Sequence, residues 1–189
     1  MRTFIAVDVN EEVRNLAENI VEKLMRRGFR ANWVKPENVH LTLFFLGEMD
    51  ESRVSEMAQH LCSRIRGFPS FSFTVKDVNF FRKGRGPRVI WLAVESNQAL
   101  QKLYEEMRSE LLKHGFLKEV EDRFVPHITI ARVKYYPELW EKLIRDITME
   151  PIVVPVSDFK IYSSTLTPDG PIYRWIYRCD FERGLIENE

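Results

Sequence analysis

Two short segments carry the residues best suited to chemistry, His40-Leu41-Thr42-Leu43 and His127-Ile128-Thr129-Ile130. Histidine titrates near neutral pH, so a pair can hold one neutral and one protonated ring at the same time. Concerted general acid–base catalysis needs that combination, with one ring taking a proton and the other giving one. The threonine hydroxyls can donate hydrogen bonds to the oxygens of a small anionic group. For an in-line displacement at phosphorus, acid and base must stand on opposite sides of the reacting atom. The paired segments therefore read as a phosphoryl-transfer site that requires no metal.

Such a site needs particular elements beneath it. In both segments polar and aliphatic residues alternate, which is the period of a strand with one buried face. Each strand then presents an imidazole and a hydroxyl side by side. Either copy alone reads more readily as an ordinary strand with a polar outer face. The chain has only four histidines, however, and two of them sit in this same context. The other two, His60 and His114, fall in predicted helices and lack the following threonine, which suits surface or helix-end roles. Acid and base on opposite sides of one phosphorus require the two strands to face each other across a groove.

Patterning predicts strands over 2–7, 39–46, 71–81, 88–95, 125–132, 152–162 and 172–181. It predicts helices over 11–27, 50–65, 98–114 and 137–147. Asn10 and Asn97 are placed to cap the first and third helices, and Gly28 to end the first. The segment 82–87 reads as a Gly- and Arg-rich turn, and the tail from Glu182 as frayed. The fold class is α+β with mainly antiparallel sheet and helices, and the halves are readable as two pseudo-symmetric lobes, which would let the paired motifs face each other across a central groove. Residues 1–189 are expected to form one two-lobed domain.

Composition narrows the function. With 28 basic and 28 acidic residues the net charge is zero, so any polyanion site must be a local patch. At 44% hydrophobic and 30% charged, the chain is that of a folded domain. It holds no apolar run long enough for a membrane span or a signal peptide, which points to the cytoplasm. Cys62 and Cys179 lack metal-ligand spacing and are expected to be buried free thiols. The carboxylates nearest the motifs, Glu48, Asp50, Glu121 and Asp122, have no ligand-like spacing with the histidines. No metal or other cofactor is expected.

On these residues the chain resembles the 2H phosphoesterases, and within them the RNA 2′,3′-cyclic phosphodiesterases, also called 2′-5′ RNA ligases. The likeness rests on the opening strand Met1 to Val7 and on Trp33 followed by His40-Leu41-Thr42-Leu43-Phe44-Phe45-Leu46-Gly47-Glu48. It extends to Phe124-Val125-Pro126-His127-Ile128-Thr129-Ile130-Ala131-Arg132 and a last hairpin from Ser164 to Tyr173. The resemblance implies hydrolysis of an RNA 2′,3′-cyclic phosphate to a 2′-phosphomonoester. His40 would be the proton donor to the leaving 3′ oxygen and His127 the base acting on water. It also implies an RNA partner, with tRNA fragments among the candidates, a monomer, and 2′-5′ ligation as the reverse reaction. The residues themselves leave the donor and acceptor interchangeable. A non-catalytic module that binds RNA ends is the competing function, but Arg or Lys would serve binding as well as two histidines do.

Three further groups merit attention. Arg132 suits phosphate oxygens. It lies five residues past His127, so in a regular strand it faces away, and only a bulge or strand end would bring it to the groove. Arg82, Lys83, Arg85 and Arg88 form the densest basic cluster, either a loop gripping an RNA backbone or a solvated hairpin tip. Tyr173 could stack on a terminal base, whereas Trp33, Trp91, Trp140 and Trp175 read as packing residues.

Overall fold

The computed structural model describes residues 1–118 and 123–189. Ten strands and four helices are described: β1 (Arg2–Asp8), α1 (Glu11–Arg26), β2 (Arg30–Trp33), β3 (His40–Glu48), α2 (Glu51–Ile65), β4 (Phe71–Lys83), β5 (Gly86–Val94), α3 (Gln98–Lys113), β6 (His127–Tyr135), α4 (Trp140–Arg145), β7 (Ile152–Val156), β8 (Asp158–Thr167), β9 (Gly170–Asp180) and β10 (Gly184–Glu187). The strands form two five-stranded sheets, in the orders β10-β9-β8-β1-β3 and β2-β6-β5-β4-β7, and every pairing is antiparallel. The α+β class is as the sequence predicts. Each motif strand belongs to a different sheet, and β3 and β6 touch.

Local chemistry explains the elements that hold these strands. The Asn10 side chain accepts from the Val13 N–H and caps α1. Val13, Ala17, Ile20 and Leu24 form its buried stripe. Gly28, at φ +94°, turns the chain into β2 through a conformation that L side chains rarely adopt. Beneath the motifs, Leu41, Ile128 and Ile130 are fully buried, and Leu43 nearly so.

Five expectations require correction. The predicted strand over 152–162 is two strands. Residues up to Val156 pair with β4 in one sheet, and from Asp158 the chain pairs with β1 in the other. Ser157 is the crossing point, its carbonyl taken by the Phe181 N–H. The expected strand 172–181 starts earlier, and the tail is not frayed: Gly184 to Glu187 adds an edge strand on β9. The helix expected from residue 137 begins only at Trp140, because Leu139 takes a left-handed conformation (φ 60°) just before it. Finally, Cys62 and Cys179 are not free. They form a disulfide with 5.2 Å between Cα atoms, tying α2 to β9 across 117 residues of sequence. The helix packs against that strand, a proximity that sequence spacing cannot reveal.

The basic turn is tighter than expected. Strands β4 and β5 run on to Lys83 and from Gly86, leaving a two-residue turn at Gly84-Arg85. Arg82 is engaged within the protein, paired with Glu141 at 2.6 Å and stacked over the Trp140 ring at 5.0 Å. No helix among the described residues is long and apolar enough to cross a membrane.

Candidate active site

His40 opens β3 directly after a 3-10 turn over Pro36–Asn38. Its Nδ1 lies 2.6 Å from the Asn38 carbonyl, which can only accept, so Nδ1 carries the proton. Its Nε2 then meets the Thr42 hydroxyl at 2.7 Å, accepting from it while the ring is neutral. Asn38 is itself buried, its amide donating to the Pro171 carbonyl at 2.9 Å, so the turn that holds His40 is fixed to the last hairpin. Around the ring, Phe4 stacks at 5.0 Å and Tyr173 meets it edge-on at 5.4 Å. Burial among these groups lowers the His40 pKa, while the Asn38 bond and the Asp8 charge pull it back up. Asp8 sits directly opposite His40 on β1 and accepts from both Lys160 and Tyr162. Burial, and then the bond to Asp8, push the Tyr162 phenol far up, so it stays protonated and acts only as a donor to that carboxylate.

His127 opens β6 in the same manner. Its Nδ1 donates to the carbonyl two residues upstream, that of Val125, at 2.8 Å. Nε2 is thereby left as the lone-pair nitrogen, and among the described residues no protein group hydrogen-bonds to it. The ring is held edge-on by Phe81 at 5.1 Å and Trp91 at 5.7 Å. Both histidines are thus locked in one tautomer by one device, a carbonyl two residues earlier.

The correspondence continues along the strands, whose burial follows the same order over nine residues. Opposite β1, Phe44 pairs with Ile5 and Thr42 with Ala6, so Leu43 is skipped. Opposite β5, Ala131 pairs with Ile90 and Thr129 with Trp91, so Ile130 is skipped. The extra residue falls at the same motif position in both strands. Such a bulge reverses the faces beyond it. The residue five past each histidine therefore returns to the histidine's face: Arg132 on one strand, Phe45 on the other. Both are exposed. Phe45, Thr42 and His127 line one cavity of about 1280 Å³, with Arg53 and Phe81 also in its wall. Residues from both motif strands thus meet at a common space.

Comparison with known proteins follows the same division. A family model described as LigT like Phosphoesterase matches residues 7–91 and again residues 92–173, one motif strand in each match. The chain belongs to the LigT-like phosphoesterases. Among members of the family, a Thermotoga maritima protein named RNA 2′,3′-cyclic phosphodiesterase is 65% identical over 186 residues, 98% of each chain. One of the same name from Methanothermobacter thermautotrophicus is 33% identical over 177 residues, 92% of this chain and 95% of that one. The fold matches E. coli LigT, solved with 3′-AMP, at a TM-score of 0.71 and 26% identity over 96% of this chain and 98% of that one. The resemblance to the 2H phosphoesterases is borne out at the level of family and fold.

Within this LigT-like phosphoesterase the predicted site residues divide as follows. His40 and Thr42 are hydrogen-bonded to each other, and Thr42 and His127 share the cavity. Thr129 is half-buried, on the side of β6 that His127 occupies. Arg132 reaches that side through the bulge that the sequence argument made a condition. Burial pushes the Tyr173 phenol up, and the charges of Arg132 and Arg2 offset only part of that rise. Tyr173 itself packs on Phe4 and His40 rather than standing free. The basic cluster is at the β4–β5 hairpin, with Arg82 committed to Glu141. Glu121 and Asp122 lie outside the described residues. Phe45, in the cavity wall, and Asp8, opposite His40, stand outside the set of expected site residues. Phe45 was detectable, since it stands at the same offset from His40 as Arg132 from His127. Asp8 was not, since its role depends on the strand pairing.

Proposed function

We propose that the protein hydrolyses RNA 2′,3′-cyclic phosphate ends to 2′-phosphomonoesters without a metal. One observation carries the reading. On two strands of different sheets, the two motif histidines hold the same tautomer by the same carbonyl device, and residues of both strands line one cavity. In this mechanism His127 Nε2 takes a proton from water as its oxygen attacks phosphorus. The bond from phosphorus to the 3′ oxygen breaks, and that oxygen takes the proton from His40 Nε2. The phosphate stays on the 2′ oxygen. The Thr42 and Thr129 hydroxyls and the Arg132 guanidinium hold the non-bridging oxygens, where charge rests in the transition state. Solvent then resets the two rings. With an RNA 5′ hydroxyl in place of water, the same groups join ends: its oxygen bonds to phosphorus, its proton goes to His127, and the bond to the 3′ oxygen breaks to leave a 2′-5′ linkage. The names carried by the Thermotoga and Methanothermobacter relatives support the RNA substrate. The enzyme is read as a cytoplasmic monomer of one two-lobed domain, with tRNA fragments among its substrates.

The direct test is turnover of oligoribonucleotides ending in 2′,3′-cyclic phosphate, with excess EDTA throughout. A 2′-phosphate product and an unchanged rate are expected. Loss of turnover on chelation would sink the metal-free mechanism, and binding without turnover would sink the hydrolase.

The pH profile gives a second test. His40 must be protonated to act as donor, so activity falls as pH rises through its pKa. Burial holds that pKa below the ordinary imidazole value in the free enzyme. A bound phosphate anion favours the imidazolium and raises it. The alkaline fall of kcat/KM, which reports free enzyme, should therefore begin at lower pH than the fall of kcat, which reports the complex. Coincident or reversed limbs would remove His40 as the donor.

A further inference from the structure

The histidines that the groove does not use are brought together elsewhere. His60 lies on α2, and Glu110 and His114 on the C-terminal end of α3. The two imidazole rings stack with centroids 3.7 Å apart and planes within 21°. Both present a nitrogen to the same carboxylate oxygen, Glu110 Oε1: His114 Nε2 at 3.0 Å and His60 Nδ1 at 3.9 Å. One donor atom from each of the three residues lies within 4.8 Å of the others.

An ordinary helix end does not account for this arrangement. A histidine in the last turn of α3 gains from the helix dipole, which explains His114 but not the ring facing it from another helix. Two imidazolium ions at this separation would repel each other. The Glu110 side chain is only 14% exposed, so its charge needs partners close by. A divalent cation satisfies all three groups at once, since it binds neutral imidazoles and a carboxylate together. Bond lengths of about 2.0–2.1 Å to nitrogen and oxygen put neighbouring ligand atoms of a tetrahedral zinc site roughly 3.4 Å apart. The observed donor spacings bracket that value, and small side-chain rotations close the rest.

We infer that His60, Glu110 and His114 form a zinc-binding site, with water completing the coordination. It is a structural clip between α2 and the end of α3, separate from the proposed catalytic histidines. It also braces the groove from behind. The Phe116 ring lies 6.3 Å from each imidazole, carries the Arg53 guanidinium at 4.8 Å, and with Arg53 lines the cavity.

The test is calorimetric titration of the full-length, metal-stripped protein with zinc chloride, joined by the visible spectrum of the cobalt(II) form. One ion per chain is expected, with a dissociation constant in the micromolar range or below. Zinc at a hundredfold excess over that constant should raise Tm by about 5–10 °C. His60→Gln, His114→Gln and Glu110→Gln should each weaken binding by tenfold or more and abolish the rise in Tm. Circular dichroism of each variant without metal separates lost ligation from lost folding. A His40→Ala, His127→Ala double variant should bind zinc as the wild type does. Three results would each overturn the site: no binding below 100 µM, binding that survives His60→Gln with His114→Gln, or binding lost with the groove histidines.

Discussion

Replacing His127 by alanine is expected to lower kcat on an RNA 2′,3′-cyclic phosphate by about 10²–10⁴-fold, with His40→Ala falling in the same range. The size follows from what each ring supplies. Water is a weak nucleophile until a base takes its proton, and a 3′ alkoxide is a poor leaving group until an acid supplies one. The two transfers belong to one displacement, so the double variant should cost much less than the product of the two single losses. The roles can also be separated. A substrate with sulfur at the 3′ position leaves as a thiolate, which needs no proton. On it, His40→Ala should regain most of its lost rate, and His127→Ala should not. The opposite pattern would exchange donor and base. Equal deficits on both substrates would show that neither ring is the donor. Wild-type turnover in His127→Ala would end the general-base assignment outright.

The exchange test is worthwhile because the two half-sites are built alike and surrounded differently. Each ring donates its Nδ1 proton to a carbonyl two residues upstream. His40, however, lies under Phe4 and Tyr173 with Asp8 opposite, and its hydroxyl partner is already engaged. His127 keeps Nε2 free of protein partners among the described residues. Beyond the bulges, one half offers the cation Arg132 and the other the exposed ring of Phe45. A guanidinium suits phosphate oxygens and an aromatic face suits a base. Two like-built strands thus carry different groups beyond their bulges, a guanidinium on one and an aromatic ring on the other.

Much of this was legible in the chain, for definable reasons. Alternation over His40 to Leu43 and His127 to Ile130 reveals both strand and face, because side chains in a strand repeat every two residues. The caps at Asn10 and Asn97 are equally local. What escaped depends on partners distant in sequence. The chain from Ile152 to Tyr162 reads as one strand, since its patterning shows no break where it changes sheets. The bulges at Leu43 and Ile130 appear only in the register with β1 and β5. Cys62 and Cys179 meet because α2 lies on β9, and His60 meets His114 because α2 lies on α3. In each case packing of one element on another created the feature.

The buried half of the motif leads to the other large effect. Leu41→Ala and Ile128→Ala are each expected to destabilise the protein by about 2–5 kcal/mol. Both side chains are fully buried, directly between the histidine and threonine of their strand. Truncation removes their transfer free energy and leaves a cavity in a close-packed interior. For a chain of this size each kcal/mol moves Tm by roughly 2–4 °C, so midpoints lower by about 4–20 °C are expected in calorimetry. Thr42→Ala and Thr129→Ala alter the half-buried face instead and should stay within about 1 kcal/mol of wild type in stability. Activity should sort the other way. Below their melting points the Leu41 and Ile128 variants should retain most of their turnover, while the threonine variants melt normally and turn over slowly. If Leu41→Ala melts with the wild type, the division of each motif into a face that holds and a face that reacts is wrong. The alternation would then be a coincidence of composition rather than the reason each strand carries a histidine and a threonine on one face.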